Sequence, residues 1–437
     1  MRVLSKPYAV AIAGIITASF VVAGCGDSKD EGSGTNGDDS CDPNTELVLW
    51  RPGDVSSTPL RNAIDRFNET SECGTVKFEE VTDDTIDEKL RMTLGTDEGP
   101  DMFVSHGGAH LWEQASDPET IFMPASTEVA DFFWPWAERL TTLNGVNYGI
   151  PSSGTEPVML FYNKTILAEN GLEVPETYDD LLAAVDVLAK TDYIPIVISN
   201  QAWALLMFWE WLVDRIGGEQ VWESCVQGEW EACWNDPAML EATEKIVELK
   251  EHGAFADNWA SVDYGAGGSE PLMTTGKGVF YLMGSWGYTS MLTADPDYVK
   301  ENFGFTKMPA VTGGKGDPTN VVGNPTRSVI ITNKAKLSLA QEFTKELTTD
   351  QFIKDAIAGG QVPTNKNAAD FASESETPEF TQFLLEMIGE ANYFTQSWDV
   401  GVTSLGSTVE PEMERILLGE ITPEEFIAAA LTMDPNA

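Results

Sequence analysis

Histidine is scarce in this chain, and the motifs of the common hydrolases are missing. The 437 residues contain three histidines, which are His106, His110 and His252. The sequence has no His-Glu-x-x-His zinc motif, no cysteine pair at zinc-finger spacing and no Gly-x-Ser-x-Gly nucleophile elbow. We therefore expect no bound metal, no cofactor and no enzymatic activity.

One pair of histidines leaves an alternative open. His106 and His110 are four residues apart, with Glu113 close behind, and this spacing would place both histidines on one face of a helix. The intervening Gly107 and Gly108 favour a loop over a helix. A secreted zinc hydrolase that uses these histidines is the resulting alternative.

Basic residues are also few. The chain has 70 Asp and Glu against 26 Lys and Arg, which gives a formal net charge of −44. A surface of this charge repels phosphate backbones and anionic lipid head groups, so nucleic acid and anionic membrane surfaces are excluded as partners. The same charge leaves a cationic ligand open.

Long apolar segments are scarce as well. An almost charge-free apolar run covers residues 7–23, and it is shorter than the roughly 20 residues of a transmembrane helix. Arg2 and Lys6 precede the run. A short apolar run after basic residues is typical of a signal peptide, which we assign to residues 1–24.

The signal peptide ends in a motif that indicates an anchor. Val22-Ala23-Gly24-Cys25 resembles the lipobox of bacterial lipoproteins, and this resemblance implies that Cys25 is lipidated. Residues 25–45 lack apolar side chains to bury and are predicted to form a flexible tether. We therefore expect an exported, lipid-anchored protein on the extracytoplasmic face of the membrane or in the periplasm.

The five cysteines are an odd number for an exported chain. A lipid on Cys25 would leave an even set, and an oxidising compartment favours disulfide bonds. The simplest pairing joins Cys41 with Cys73 and Cys225 with Cys233. Connectivity does not follow from sequence, and unpaired buried thiols are the alternative.

Strand-like and helix-like patterns alternate in the first part of the chain. Residues 46–50 and 101–104 are typical of buried strands, and a helical face containing Leu60, Ile64 and Phe67 lies between them. Such alternation predicts an α/β structure with parallel strands, whose ligands lie outside the carboxyl ends of the strands. The residues that follow these two strands are therefore predicted to line one cleft.

A segment near the middle of the chain resembles a known hinge. Tyr148-Gly149-Ile150-Pro151 is followed by an apolar strand that ends in Tyr162-Asn163-Lys164. This pattern resembles the first hinge of the family 1 extracellular solute-binding proteins, which include the maltose-binding proteins of ABC importers. Flanking motifs match in the same order, including Gly-Pro-Asp at 99–101 and Gly-Ser-Trp at 284–286.

The resemblance implies a two-lobed, periplasmic-binding-protein-like α/β fold. Three crossings would connect the lobes, and the ligand would bind in the cleft between them. We assign residues 46–152 and 303–333 to lobe one, and residues 153–302 and 334–437 to lobe two. About 390 residues are too many for one hydrophobic core and suit two.

The resemblance also implies ligand-binding positions. Asp54 and Glu156 match residues that bind sugar in the maltose-binding branch, and Trp286 matches a tryptophan that stacks on a sugar ring. An Asp-Arg pair of that branch falls on Gly107 and Gly108, which argues against a strict maltose ligand. The full predicted set is Trp50, Asp54, Ser105, His106, Glu156, Asn200, Trp203, Trp286, Trp398 and Asp399.

These observations predict a monomeric carbohydrate receptor of a bacterial ABC importer. It would deliver a mono- or oligosaccharide to permease subunits and their ATPase by closing its cleft. A receptor for a polyol or a polyamine is an alternative, and the carboxylates of Asp54 and Glu156 would suit the cationic polyamine. No basic cluster is evident near the predicted cleft, which argues against a phosphosugar.

Overall fold

The computed structural model describes residues 41–52, 57–81, 83–226, 229–358, 360–396 and 403–433. The predicted signal peptide and the first part of the tether lie outside these ranges. Within the described residues, no helix combines the length and the hydrophobicity needed to cross a lipid bilayer.

The strands are numbered here in chain order. They are β1 (Glu46–Pro52), β2 (Thr75–Val81), β3 (Met102–Ser105), β4 (Phe122–Met123), β5 (Thr142–Leu143), β6 (Val146–Asn147), β7 (Gly149–Pro151), β8 (Gly154–Asn163), β9 (Ile194–Val197), β10 (Gly278–Gly284), β11 (Phe303–Thr306), β12 (Val321–Asn324), β13 (Ser328–Thr332), β14 (Val362–Pro363) and β15 (Phe394–Gln396).

The α-helices are numbered in the same way. They are α1 (Thr58–Thr70), α2 (Asp83–Thr93), α3 (Gly108–Glu113), α4 (Pro118–Ile121), α5 (Thr127–Ala130), α6 (Pro135–Glu138), α7 (Lys164–Glu169), α8 (Tyr178–Leu188), α9 (Ala202–Gly217), α10 (Glu219–Val226), α11 (Trp230–Trp234), α12 (Pro237–Glu251), α13 (Ser269–Thr274), α14 (Ser285–Ala294), α15 (Pro296–Asn302), α16 (Leu337–Thr344), α17 (Asp350–Ala358), α18 (Pro378–Glu390), α19 (Thr403–Leu418) and α20 (Pro423–Leu431).

The first large sheet forms the centre of lobe one. Its strand order is β2-β1-β3-β13-β4, and β7 also pairs with β13. The strands β1, β2 and β3 are parallel, as the alternation of strands and helices predicted, whereas β13 runs antiparallel to its neighbours. Both faces are covered: Leu49 of β1 contributes to one hydrophobic cluster and Trp50 to another.

The second large sheet forms the centre of lobe two. Its strand order is β15-β12-β8-β10-β9, and β11 and β14 also pair with β8. Helices α8, α9 and α12 pack their buried residues into the large core of this lobe. Trp209 and Trp211 of α9 are fully buried in that core.

Three segments carry the chain between the lobes. The first runs from β7 to β8, the second from β12 to β13, and the third from α17 to β14. All three pass the start of β8, because Glu156 pairs with Asn324 and Gly154 pairs with Pro363. The predicted number of crossings therefore agrees with the structure.

Two predicted lobe boundaries were wrong. We assigned residues 303–333 to lobe one, but β11 and β12 pair with β8 in lobe two, and β13 enters lobe one. We assigned residues 334–358 to lobe two, yet Phe343 packs on Phe67 of α1 with ring centroids 5.5 Å apart. An apolar segment indicates a buried strand or helix, but it does not identify the partner against which that element packs.

Two helices of lobe two begin with capping boxes. Thr177 and Asp180 form a reciprocal capping box at the start of α8, and Thr422 and Glu425 form another at the start of α20. In each case a hydroxyl and a carboxylate accept backbone N–H groups that the first helical turn leaves unpaired. Ser57 precedes α1, but its side chain makes no capping hydrogen bond there.

Both predicted disulfide bonds are present. Cys41 is bonded to Cys73 with a Cα–Cα distance of 4.5 Å, which joins the end of the predicted tether to lobe one. Cys225 is bonded to Cys233 with a Cα–Cα distance of 5.3 Å, which links α10 to α11 in lobe two. The alternative of unpaired thiols is therefore wrong for these four cysteines.

The disulfide between α10 and α11 should contribute measurably to stability. We expect the double variant Cys225→Ser with Cys233→Ser to lose roughly 2 to 3 kcal/mol of unfolding free energy, because the bond constrains a short loop in the unfolded chain. Urea denaturation followed by circular dichroism would measure the loss relative to the oxidised wild type. Equal midpoints for the variant and the oxidised wild type would contradict this expectation.

Candidate functional site

Three aromatic side chains meet at one edge of the sheet in lobe two. Trp203 lies in the first turn of α9, and its ring centroid is 4.8 Å from that of Tyr264 and 6.2 Å from that of Trp286. All three rings are partly buried against the core of this lobe. We call Trp203, Tyr264 and Trp286 the aromatic platform.

The Gly-Ser-Trp motif explains how Trp286 reaches this position. The strand β10 ends at Gly284, and α14 begins at Ser285, so Trp286 lies at the carboxyl end of a buried strand. A Cβ atom on Gly284 would lie 2.0 Å from Cζ3 of Trp286. Glycine is therefore required at position 284 for the indole to lie against the end of its own strand.

Tyr264 was missed in the sequence analysis. Its hydroxyl accepts a hydrogen bond of 2.6 Å from Nε1 of Trp286, and this bond orients the indole. Burial, together with the nearby carboxyl group of Glu270, raises the pKa of Tyr264 to about 12, so the hydroxyl keeps its proton. An aromatic residue at the start of the glycine-rich loop 264–268 is the signal that could have indicated it.

Polar groups flank the aromatic platform. The backbone N–H of Asn200 donates to the carbonyl of Val262, which brings the loop after β9 next to Asp263. The Asn200 side chain donates to Asp263 Oδ1 at 3.4 Å. Glu270 is buried behind the platform, where burial raises its pKa and Ser290 donates to its Oε2 at 2.6 Å.

Glu156 connects this region to the crossings between the lobes. It lies near the start of β8 and accepts a hydrogen bond of 3.3 Å from the side chain of Asn324, which ends β12. Two residues further along β8, Val158 pairs with Gly284 at the end of β10, just before Trp286. The part of Glu156 in ligand binding stays a prediction from the resemblance.

Ser105 and the two neighbouring histidines lie at the carboxyl end of β3 in lobe one. The Oγ atom of Ser105 is 3.4 Å from Nδ1 of His110, and Nε2 of His110 is 2.9 Å from Asp87. Both ring nitrogens of His110 therefore have polar partners in the protein. Among the residues that the structure describes, no three His, Cys, Asp or Glu side chains are arranged to hold a metal ion, so the geometry gives the zinc hydrolase no support.

His106 follows β3, and two arginines lie at the same edge of the sheet, Arg51 on β1 and Arg327 just before β13. Burial lowers the pKa of His106 well below the usual value, and the electrostatic influence of Arg327, His110 and Arg51 lowers it further. The imidazole is therefore neutral near pH 7.

Trp50 lies in the core of lobe one. Its side chain is 4% exposed, its Nε1 donates to Glu79 at 3.0 Å, and Lys89 lies 3.6 Å from the ring centroid. Because its Nε1 atom and its ring face both contact other residues of lobe one, we do not group Trp50 with the aromatic platform. We leave it out of the proposed site.

Four other predicted positions lie outside the described residues. They are the lipidation site Cys25 and the ligand-binding candidates Asp54, Trp398 and Asp399. Their roles stay predictions from the sequence.

Comparisons with known proteins agree on the class of this chain. The sequence model of a family described as bacterial extracellular solute-binding protein matches residues 54–352. An uncharacterized ABC transporter extracellular-binding protein of Pyrococcus horikoshii is 28% identical over 176 residues, which are 39% of this chain and 38% of that protein. The multiple sugar-binding protein of Streptococcus mutans is 24% identical over 203 residues, 44% of each chain. The matches thus span less than half the length of either curated relative.

A solved structure extends the similarity to most of the chain. A chitin oligosaccharide binding protein superposes with a TM-score of 0.76 at 23% identity, covering 91% of this chain and 99% of that one. This structural similarity confirms the predicted two-lobed α/β fold.

The neutral state of His106 predicts a specific dependence of stability on pH. The unfolded chain takes up a proton at this histidine near pH 6.5, whereas the folded protein resists protonation until much lower pH. The contribution of His106 to the free energy of unfolding is therefore complete above about pH 6.5. Below that pH the free energy of unfolding falls by up to about 1.4 kcal/mol per pH unit. Denaturant unfolding of wild type and His106→Gln at several pH values should show this difference.

The exposed His252, which pairs with Asp186, provides the matched control. The variant His252→Gln shows how much of any change follows from replacing a histidine by glutamine at an exposed position. Parallel curves for wild type and His106→Gln would contradict the expectation.

Proposed function

Because the chain belongs to the bacterial extracellular solute-binding protein family, we propose that it is the carbohydrate receptor of an ABC importer. The aromatic platform is the observation that carries this proposal. A sugar presents apolar C–H faces as well as hydroxyl groups, and aromatic rings are suited to the former. Members of this family bind solutes, so we propose a receptor and not an enzyme.

The polar residues near the platform suit the hydroxyl edge of a sugar. Glu156 and Asp263 offer carboxylate acceptors, and Asn200 offers both a donor and an acceptor. Ser105 and His106 of lobe one would add neutral polar groups from the opposite side on closure. Asp54, Trp398 and Asp399 complete the proposed set as predictions from the resemblance.

The names of two matched proteins also support a sugar ligand. One is a multiple sugar-binding protein and the other a chitin oligosaccharide binding protein. Neither name indicates a polyol or a polyamine as the ligand. The proposed partners are therefore a sugar, the permease subunits and their ATPase, and we propose that the receptor acts as a monomer anchored through a lipid on Cys25.

A ligand screen is the first test of the proposal. Thermal shift against mono- and oligosaccharides should identify a stabilising sugar, since a ligand that binds only the folded state raises its stability. Sorbitol, putrescine and Zn²⁺ represent the alternative ligands. Stabilisation by one of these three and by no sugar would overturn the proposal.

Trp286 of the aromatic platform should then contribute to the affinity for the sugar. We expect Trp286→Ala to weaken binding of the stabilising sugar by roughly ten- to a hundredfold, because a stacked aromatic contributes about 1 to 3 kcal/mol. Tyr264→Phe keeps the ring and removes the hydroxyl that orients the indole, so a smaller loss is expected. Calorimetric titration gives both dissociation constants.

The buried Trp230, whose Nε1 donates to the carbonyl of Ala430, is the matched control. Trp230→Ala should cost about 3 to 5 kcal/mol of stability through the cavity it leaves, with unchanged affinity per folded molecule. The same pattern in Trp286→Ala would remove that residue from the site.

The proposed anchor makes a separate prediction. Cys25→Ser should abolish lipidation, so the protein should accumulate as precursor or leave the membrane fraction. Fractionation and intact mass measurement would show either result. A processed Cys25→Ser protein that remained in the membrane would place the anchor elsewhere.

A further inference from the structure

A polar contact joins the two lobes through residues that are not part of the aromatic platform. Arg139 belongs to the 3-10 helix Arg139–Thr141 of lobe one, and Glu223 belongs to α10 of lobe two. The Nη1 atom of Arg139 is 2.7 Å from Oε2 of Glu223, with 30% and 24% of the two side chains exposed. The ion pair is thus partly shielded from water.

Arg139 makes two more contacts with lobe two. Its guanidinium carbon lies 4.7 Å from the centroid of the Tyr393 ring, and its Nη2 donates to the carbonyl of Phe394 at 3.3 Å. The hydroxyl of Tyr393 donates to the same Glu223 oxygen that pairs with Arg139. One arginine therefore combines an ion pair, a ring contact and a hydrogen bond to backbone.

An aromatic pair extends the contact. Trp136 of α6 stacks on Phe394 of β15, with ring centroids 5.2 Å apart and an angle of 27° between the planes. Burial of these two rings adds apolar contact area beside the ion pair. We call Trp136, Arg139, Glu223, Tyr393 and Phe394 the inter-lobe contact.

Each side of the inter-lobe contact is attached to its own lobe. Next to Arg139, the buried Leu140 packs so closely on Gly107 that a Cβ at position 107 would lie 2.8 Å from the Leu140 carbonyl oxygen. Glu223 lies two residues before Cys225, which the disulfide bond joins to Cys233. Phe394 pairs with Val321 in the sheet of lobe two. A rotation that separates the lobes at this point would therefore break the whole contact.

We propose that the inter-lobe contact is a latch that holds the lobes together in the absence of ligand and thereby sets the affinity of the receptor. The affinity part rests on the proposed function, whereas the latch itself does not. A receptor that binds in its closed form has an apparent dissociation constant equal to the intrinsic one divided by the closed fraction. Loss of the latch lowers that fraction, so it weakens binding without touching the ligand.

The chemistry of arginine makes the latch specific. A planar guanidinium can pair with a carboxylate, lie over a ring and donate to a carbonyl together, whereas a lysine ammonium is a compact point charge. Exposed ion pairs in water contribute little, but this one is partly shielded and shares its partners with two further contacts. The radius of gyration of ligand-free Arg139→Lys should therefore be closer to that of Arg139→Ala than to that of the wild type.

The first experiment uses the ligand-free protein. Small-angle X-ray scattering should give a larger radius of gyration for Arg139→Ala and Arg139→Lys than for wild type. The matched control is Arg415→Ala, which removes an arginine paired at 2.7 Å with Glu412 inside a single helix of lobe two. Circular dichroism of each variant establishes that it is folded.

The second experiment measures affinity for the sugar that stabilises the wild type most. We expect Arg139→Ala to weaken binding roughly three- to thirtyfold and Arg415→Ala to leave it unchanged. The double variant Arg139→Ala with Glu223→Ala should lose less binding free energy than the sum of the losses of the two single variants. Both single substitutions break the same ion pair.

The two measurements separate the latch from the proposed function. An unchanged radius of gyration in Arg139→Ala overturns the latch, whatever the affinity. A larger radius with unchanged affinity overturns the link between the latch and binding. Absence of sugar binding by the wild type would instead contradict the proposed function, while the scattering result would still test the latch.

Discussion

The backbone pairing of β8 is the constraint on which the rest of the structure depends. Four strands, β10, β11, β12 and β14, pair with this ten-residue strand in antiparallel register. Its first residues also contact the crossings: a Cβ on Gly154 would lie 2.6 Å from Cβ of Gln361. The three connections between the lobes therefore converge at one point, where a small backbone change alters both lobes together.

This convergence also links the hinge to the site. Glu156 lies on β8, two residues after Gly154, and it accepts a hydrogen bond from Asn324 of the second crossing. A ligand that contacts Glu156 would therefore act on the segment about which the lobes rotate. The proposed latch would act on the same equilibrium through Arg139, because it would stabilise the form in which these residues are in contact.

Much of this organisation follows from patterns in the sequence. Alternation of strands and helices predicted the α/β class, and the order of the motifs around Tyr148 predicted two lobes with three crossings. The Gly-Ser-Trp motif predicted the location of Trp286 at the end of a strand. Four cysteines in an exported chain predicted two disulfide bonds, and both pairings are confirmed.

The sequence alone determined features that depend on neighbouring residues, such as the capping boxes of α8 and α20. Tertiary structure decided which strands pair, so β11 lies beside β8 although about 140 residues separate them. It also decided that Trp50 is buried while Trp286 is only partly buried, beside Tyr264. Hydrogen bonding within a turn needs only adjacent residues, whereas strand partners and aromatic burial are set by the packing of distant segments.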